Sequence, residues 1–253
     1  MAKLLLTAAL RKHADRSPWL LRLLWLFEGG LLVALSRLCR FASPDSASIM
    51  GRRLMRVIGC RLDKTRILRR NFEIAFPEKN EEEIEVLVRE LWGNVGAVLA
   101  EFPHLEAIVK EGAGNRLDIV HKSNASVFQH NAKPAIFVSA HLANWEIASG
   151  AIVAQGAPFT GIYTPLQNPM LDRMVYRARL SLGYSLVSRD GAMRKLVKSL
   201  RNGISVGLLV DQRVDSGEPV PFFGHNMTTS TAPAQLALRF GCELIPLQVQ
   251  RLE

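Results

Sequence analysis

Six short apolar runs, alternating with stretches of helical periodicity, constrain this chain more than any other feature. The strand candidates are Leu117–His121, Pro134–Ala140, Phe159–Tyr163, Tyr184–Val187, Ile204–Val210 and Leu244–Val249. Helical patterns fall between the later runs, over 144–154, 169–181, 190–201 and 231–240. Alternation of this kind predicts an α/β fold, with a largely parallel central sheet covered on both faces by helices. A helical preface stands before it. Residues 50–70 read as one basic helix, and Glu81–Phe102 places Ile84, Leu87, Val88, Leu91, Val95, Val98 and Leu99 at helical spacing. Gly112–Gly114 and Asp215–Gly217 read as loops. The 253 residues suit one large domain with an appendage. The expected division is an N-terminal helical segment over 1–45 and a folded domain over 46–253.

The second run carries the first chemical signal. Ile136-Phe-Val-Ser-Ala140 reads as a buried strand, and it delivers His141 at its carboxyl end. In an open α/β sheet that rim is where ligands bind. Asn144 reads as the N-cap of the next helix, which puts Glu146 in its first turn. A strand-to-helix turn can bring a histidine and a glutamate five residues later together, whereas one continuous helix would point them apart. A carboxylate on one imidazole nitrogen leaves the other free to take a proton from a hydroxyl. The plainer reading is a surface histidine beside a capping carboxylate.

Other candidates have the same double character. Asp211 and Gln212 end the run Ile204–Val210, either to position a substrate or to cap a loop. Phe222 and Phe223 either wall an apolar pocket or simply pack. Arg177 and Arg179 lie on or near the helix after Asn168-Pro169. Arginine suits phosphate recognition or the stabilisation of an oxyanion. Residues i and i+2 do not share a helix face, so one of the two is expected in the site, and Arg177 is the choice. One of Thr228, Thr229, Ser230 and Thr231 is expected to cap the next helix. Cys39, Cys60 and Cys242 are far apart and lack CxxC spacing, as for reduced thiols. His104, His121, His130 and His225 form no metal-ligand spacing with His141.

Charge is concentrated at one end. Residues 1–70 hold 15 Lys/Arg against 4 Asp/Glu, and the remainder holds 17 against 19, so the whole net charge of +9 originates in the first 70 residues. Basic residues beside long apolar runs, without interleaved aromatic platforms, point to an anionic membrane surface rather than nucleic acid. Trp19–Leu38 is about long enough to span a bilayer, but Arg22, Glu28 and Arg37 interrupt it and Gly29-Gly30 weakens its middle. Glu28 near the centre argues for an interfacial or tilted helix over a clean span. A core helix is the other reading.

His141-Leu-Ala-Asn144-Trp145-Glu146 resembles the His-x-x-Asn-Trp-Glu block of the bacterial lipid A late acyltransferases. These are the lauroyl/myristoyl transferases of the lysophospholipid acyltransferase superfamily, whose signature is His-x4-Asp/Glu. Arg70-Asn71 to Phe76-Pro77, Tyr163-Thr-Pro165 to Asn168-Pro169, Leu208 to Asp211-Gln212, and Val220-Pro-Phe222-Phe223-Gly224 resemble further family blocks in the same order. The resemblance covers roughly residues 20 to 253. Position 143 is Ala where the family usually has Gly, and Phe72 stands where Leu is usual.

The resemblance implies an acyltransferase. A fatty acyl chain moves from a thioester of acyl carrier protein or coenzyme A to a hydroxyl of a lipid A precursor. His141 is the general base, Glu146 orients it, and attack is direct, with no acyl-enzyme and no metal or cofactor. Asn144, Asn168, Arg177, Arg179, Asp211, Gln212, Phe222 and Phe223 are the expected substrate-binding residues. The resemblance further implies a membrane-anchoring N-terminal helix, on the cytoplasmic face of the inner membrane. Family members continue beyond the strand read at Leu244–Leu252, so the chain is expected to be C-terminally truncated. Two other readings remain: an acyltransferase for another lysolipid or glycerophospholipid acceptor, and a non-catalytic peripheral membrane-binding protein.

Overall fold

The computed structural model describes residues 17–110, 116–122, 126–128, 132–212 and 214–252. The expected Gly112–Gly114 loop, His130 and Arg213 lie outside them. Five parallel strands form the central sheet: β1 (Ile136–Ser139), β2 (Phe159–Tyr163), β3 (Ser185–Ser188), β4 (Ser205–Leu209) and, late in the chain, Leu244–Pro246. That last strand is numbered β7, because a two-stranded antiparallel hairpin of β5 (Glu218–Phe222) and β6 (His225–Thr229) precedes it. The strand order is β3-β2-β4-β1-β7. The mixed α/β architecture with a parallel sheet is as the alternation predicts.

Five helices lead into the sheet: α1 (Pro18–Cys39), α2 (Pro44–Ile58), α3 (Thr65–Ala75), α4 (Glu81–Glu101) and α5 (Leu105–Lys110). Four more connect the strands: α6 (Glu146–Ala154), α7 (Pro169–Leu180), α8 (Ala192–Arg201) and α9 (Ala232–Phe240). The α4 helix starts cleanly because Asn80 accepts from the Glu83 N–H while the Glu83 carboxylate accepts from the Asn80 N–H.

Period-two alternation along the strands divides the core between the sheet's two faces. On one face Phe137 and Phe159 pack with Leu105, Ile108 and Val109 of α5 and Ile147 and Ile152 of α6. On the other, Ile136 and Val206 pack with Leu196 and Leu200 of α8 and Leu236 of α9. Helices that follow the adjacent strands β1 and β4 thus lie on opposite faces. That divergence opens a crevice at the strands' carboxyl ends, the topological switch point where α/β sheets bind ligands.

Three expectations differ from the structure. The helix read over 50–70 is two helices, parted by a 3-10 turn at Gly59–Arg61. The Thr65 hydroxyl donates to the Gly59 carbonyl and accepts from the Trp92 indole, and that indole packs so closely on Gly59 that the glycine has no room for a side chain. Leu117 makes an isolated bridge, and residues 118–121 join no strand. The hairpin was not expected, since Pro219 and Pro221 weaken any strand reading of 218–222. Its two-residue turn has φ of 47° at Phe223 and 75° at Gly224, the positive pair of a type I′ hairpin turn.

The preface is stapled to the domain. The α2 and α4 helices cross at Gly51 and Gly96, where a Cβ on Gly96 would lie 2.1 Å from the Gly51 carbonyl oxygen. The α1 helix rests on α7. Asn168 donates through Nδ2 to the Trp25 carbonyl at 2.9 Å and to the Glu28 carboxylate at 3.2 Å. At the other end, His104 Nε2 lies 2.9 Å from the Cys39 carbonyl oxygen, in the last turn of α1.

The Gly51–Gly96 crossing predicts that Gly96→Val lowers the unfolding free energy by about 1–3 kcal/mol, because overpacking against backbone outweighs the gain in helix propensity of under about 1 kcal/mol. Gly30→Ala in α1, where nothing lies within 4 Å, is the control and leaves stability unchanged or slightly raised. Urea unfolding followed by circular dichroism measures both.

Candidate active site

Strand register builds the centre of the site. Parallel pairing sets Ser139 of β1 opposite Leu209 of β4. Two residues beyond that pair on each strand stand His141 and Asp211. The Asp211 carboxylate accepts twice from one residue: from the His141 backbone N–H at 2.9 Å and from ring Nδ1 at 2.8 Å. A carboxylate in that position requires the proton on Nδ1, which leaves Nε2 as the acceptor. Gln212 Nε2 lies 3.4 Å from that Nε2, and the Trp145 ring meets the imidazole edge-on at 5.0 Å.

Glu146 is engaged elsewhere. It is buried in the first turn of α6, and Arg179 of α7 donates to it through Nε at 2.8 Å and Nη2 at 2.6 Å. The carboxylate on His141 is therefore Asp211, 70 residues away in sequence, and not the expected Glu146, which clamps an arginine instead. The bidentate contact leaves Nη1 of Arg179 outside the clamp. Tyr184 completes this corner. Burial pushes its phenol well above the usual range and the Glu146 charge adds to this, offset in part by Arg179 and a hydrogen bond with Ser149. It stays protonated throughout the physiological range.

The choice between the two arginines is also reversed. Arg177 is exposed, and Arg179 points inward. Helix phase explains this: Leu171 is the buried residue of α7, and positions eight apart return to the same side.

The turn between His141 and Glu146 is held from behind. Ala143 has a φ of 45°, a left-handed conformation that favours glycine and accounts for glycine at this place in the family block. Its carbonyl accepts from Asn94 Nδ2 at 3.1 Å. Asn144 is not the N-cap: α6 starts one residue after Trp145, with no side-chain cap. Its side chain is instead buried and donates to Glu101 at 2.6 Å. Arg251 donates to the same Glu101 through both terminal nitrogens. Asn94 and Glu101, seven residues apart on one face of α4, thus brace the turn. Neither was expected as a functional residue. The available signal was a charged residue at the end of an apolar stripe, three positions after buried Val98.

An apolar cavity of about 1590 Å³ leads to this centre, larger than the roughly 300–1,000 Å³ of a small-molecule pocket. His141, Trp145, Glu146, Arg179, Tyr184 and Gln212 line one part of it, Phe137, Phe159 and Leu186 a second, and residues of α1 and α2 a third. Phe222 and Phe223 do not line it. They sit on the hairpin, 60% and 52% exposed, with Phe223 facing Phe76. Asn168 is buried as the N-cap of α7, bonded to the Met170 N–H and to α1, and takes no place in the cavity. Among the described residues no cluster of three metal-ligating side chains occurs.

A histidine with an oriented Nε2 beside a large apolar cavity suits proton abstraction from a hydroxyl on a lipid. The family model for "Bacterial lipid A biosynthesis acyltransferase" matches residues 19–253. The chain belongs to this family. Among similar proteins, a phosphatidylinositol mannoside acyltransferase of Mycolicibacterium smegmatis is 25% identical over 71% of this chain and 61% of its own length. A lipid A biosynthesis lauroyltransferase of Escherichia coli is 25% identical over 77% and 67%. A lipid A biosynthesis acyltransferase of Haemophilus influenzae is 27% identical over 68% and 55%. The chain therefore spans a little over half to two thirds of these relatives.

The Glu146–Arg179 pair gives a stability prediction. Arg179→Ala strands a buried carboxylate and lowers the unfolding free energy by about 3–5 kcal/mol, whereas the combined Arg179→Met, Glu146→Leu variant recovers most of that loss. A double-mutant cycle by chemical denaturation measures the coupling.

Proposed function

We propose that this protein transfers a fatty acyl group from a thioester to a hydroxyl of a lipid A precursor. The observation that carries the reading is His141, its Nδ1 on Asp211 and its Nε2 at an apolar cavity, in a chain of this family. His141 Nε2 takes the proton of the acceptor hydroxyl as its oxygen attacks the thioester carbonyl. Asp211 keeps Nδ1 protonated and stabilises the imidazolium that forms. The tetrahedral intermediate collapses with cleavage of the carbon–sulfur bond, and the imidazolium returns its proton to the departing thiolate. No nucleophilic serine or cysteine takes part. Glu146 acts through Arg179, which it holds at the cavity wall, so that Nη1 is available to an oxyanion or to a phosphate of the acceptor.

The donor is a thioester of acyl carrier protein or of coenzyme A, since the chemistry needs only the thioester. The acyl chains of donor and acceptor occupy the cavity. The α1 helix attaches the protein to the inner membrane from its cytoplasmic side, with the basic N-terminal third toward anionic headgroups. Among the described residues one helix, Pro18–Cys39, is long and apolar enough to cross a membrane. The similarity to a phosphatidylinositol mannoside acyltransferase supports a second acceptor class, a glycosylated glycerophospholipid.

Acyl transfer from a defined acyl-carrier thioester to a lipid A precursor tests this reading. His141→Ala and Asp211→Asn lower kcat by about 10²–10⁴-fold, with little change in KM for the acceptor. Full activity in His141→Ala refutes the mechanism. Transfer to a mannosylated phosphatidylinositol but not to the lipid A precursor replaces the acceptor.

A further inference from the structure

Helix α2 leaves a broad apolar face uncovered, although Ala47 and Met55 on its inner side pack on the protein. A helix on the surface of a soluble protein turns its apolar stripe to the core and its charges to water. Here Arg52 and Arg56 face the protein, where they pair with Glu90 of α4, beside the close Gly51–Gly96 crossing. The opposite face carries Ile49, Met50, Leu54, Val57 and Ile58, all exposed, with Met50 at 65% and Val57 at 56%. These positions follow the i, i+1, i+4, i+5, i+8, i+9 pattern of a single helical face. Arg53 is set into that face, and Arg61 follows just beyond it.

Two observations say what covers it. The first is continuity with α1. Leu31, Leu35 and Leu38 of α1 and Met50, Leu54 and Val57 of α2 line the same cavity, so the two helices form the walls of one groove that ends at His141. The outer side of α1 is apolar too, with Trp19, Leu23, Leu26 and Phe27 exposed, while Glu28 and Gly29 face α7. The second is charge. Arg37 and Arg40 at the end of α1, and Arg53 and Arg61 in and just after α2, are exposed and pair with no carboxylate among the described residues. An apolar face edged by guanidinium groups that no carboxylate neutralises matches an anionic bilayer, in which apolar side chains enter the acyl boundary and arginines reach the headgroups.

We infer that the outward face of α2 lies in the plane of an anionic membrane as a second contact surface, and that the groove between α1 and α2 opens sideways into that membrane. A lipid acceptor then reaches His141 without leaving the bilayer, its chains passing between the two helices. The inference rests on membrane attachment through α1, and it does not require the acyl transfer itself.

The test places an environment-sensitive fluorophore at Met50→Cys or Val57→Cys in the full chain, with Cys39, Cys60 and Cys242 replaced by Ala. A third label at Lys195→Cys, on exposed α8, is the control. Vesicles of phosphatidylcholine with phosphatidylglycerol are added. Labels at positions 50 and 57 shift to the blue and are quenched by lipids carrying a nitroxide high on the acyl chain, while the control is not. Arg53→Gln with Arg61→Gln lowers partitioning onto these vesicles about thirtyfold, and hardly at all onto pure phosphatidylcholine. Labels that remain in water on vesicle-bound protein overturn the inference. So does protection of the same labels without vesicles in a species of twice the mass, which would assign the face to a second copy of the chain. Neither readout depends on turnover, so a failed transfer assay leaves this result standing.

Discussion

The site depends on one pairing of strands. If β1 slipped by a single residue against β4, His141 and Asp211 would no longer stand opposite each other, and every side chain of β1 would change face. The register is secured by what flanks it. Ile136 and Val206 are fully buried on one face of the sheet, and Phe137 on the other meets Phe159 edge-on at 6.0 Å. Beyond the last pair, the Val210 N–H donates to the Ser139 carbonyl, so the ladder persists to the residue before Asp211. The histidine and its carboxylate are thus placed by the core of the sheet. The crevice they occupy exists because α6 and α9 leave these two strands toward opposite faces.

A second layer fixes the turn that carries His141 away from the strand. A residue with positive φ and no glycine is costly unless its surroundings over-determine it. Asn94 holds the carbonyl of Ala143, and Glu101 holds the side chain of Asn144. Glu101 is itself buried, with its charge answered by Arg251. The Glu146–Arg179 pair repeats the pattern on the far side of the turn. Two buried carboxylates, each met by an arginine, hold the turn at Asn144 and at Glu146. Such pairs contribute little net stability, since desolvation offsets attraction. What they fix is geometry, because each charge tolerates few other arrangements.

Much of this was legible in the sequence where a signal was local. The strand at 159–163 is legible to the residue, because Phe159, Thr160, Ile162 and Tyr163 are apolar or β-prone and stand between a proline and a Thr-Pro. The rim that carries His141 and Asp211 was legible as well, since both end buried runs. Their contact was not, because the register of strands 70 residues apart is set by packing rather than by spacing. Glu146 was the natural partner at five residues' distance, and only the course of α7 shows it taken by Arg179. The same helix settles which arginine turns inward, and its phase could have been counted from Leu171. The break at Gly59 has no local signal, because a lone glycine in a helical pattern is a weak stop and its force here comes from distant Trp92. Phe222 and Phe223 were misplaced for a related reason: two adjacent aromatics carry no information on which side of a hairpin they lie.

Glu28 joins the fold to its surroundings. Within an otherwise apolar helix a carboxylate is expensive in lipid, so a helix wholly surrounded by acyl chains would not be expected to carry one at its middle. Here it faces α7, beside Gly29, where a Cβ would come within 2.8 Å of the Met170 sulfur. One of its oxygens accepts from Asn168, and the other is buried without a partner. A carboxylate so incompletely satisfied is poor support for stability. It is a constraint on register, since a slide of α1 that put Glu28 in the place of Gly29 would bury the charge against Met170 and set a larger side chain where glycine is needed. The apolar side of α1 is thereby held outward, and its C-terminal half lines the cavity together with α2. The groove that leads to His141 keeps its two walls because one charged side chain in the apolar segment has a single place to go.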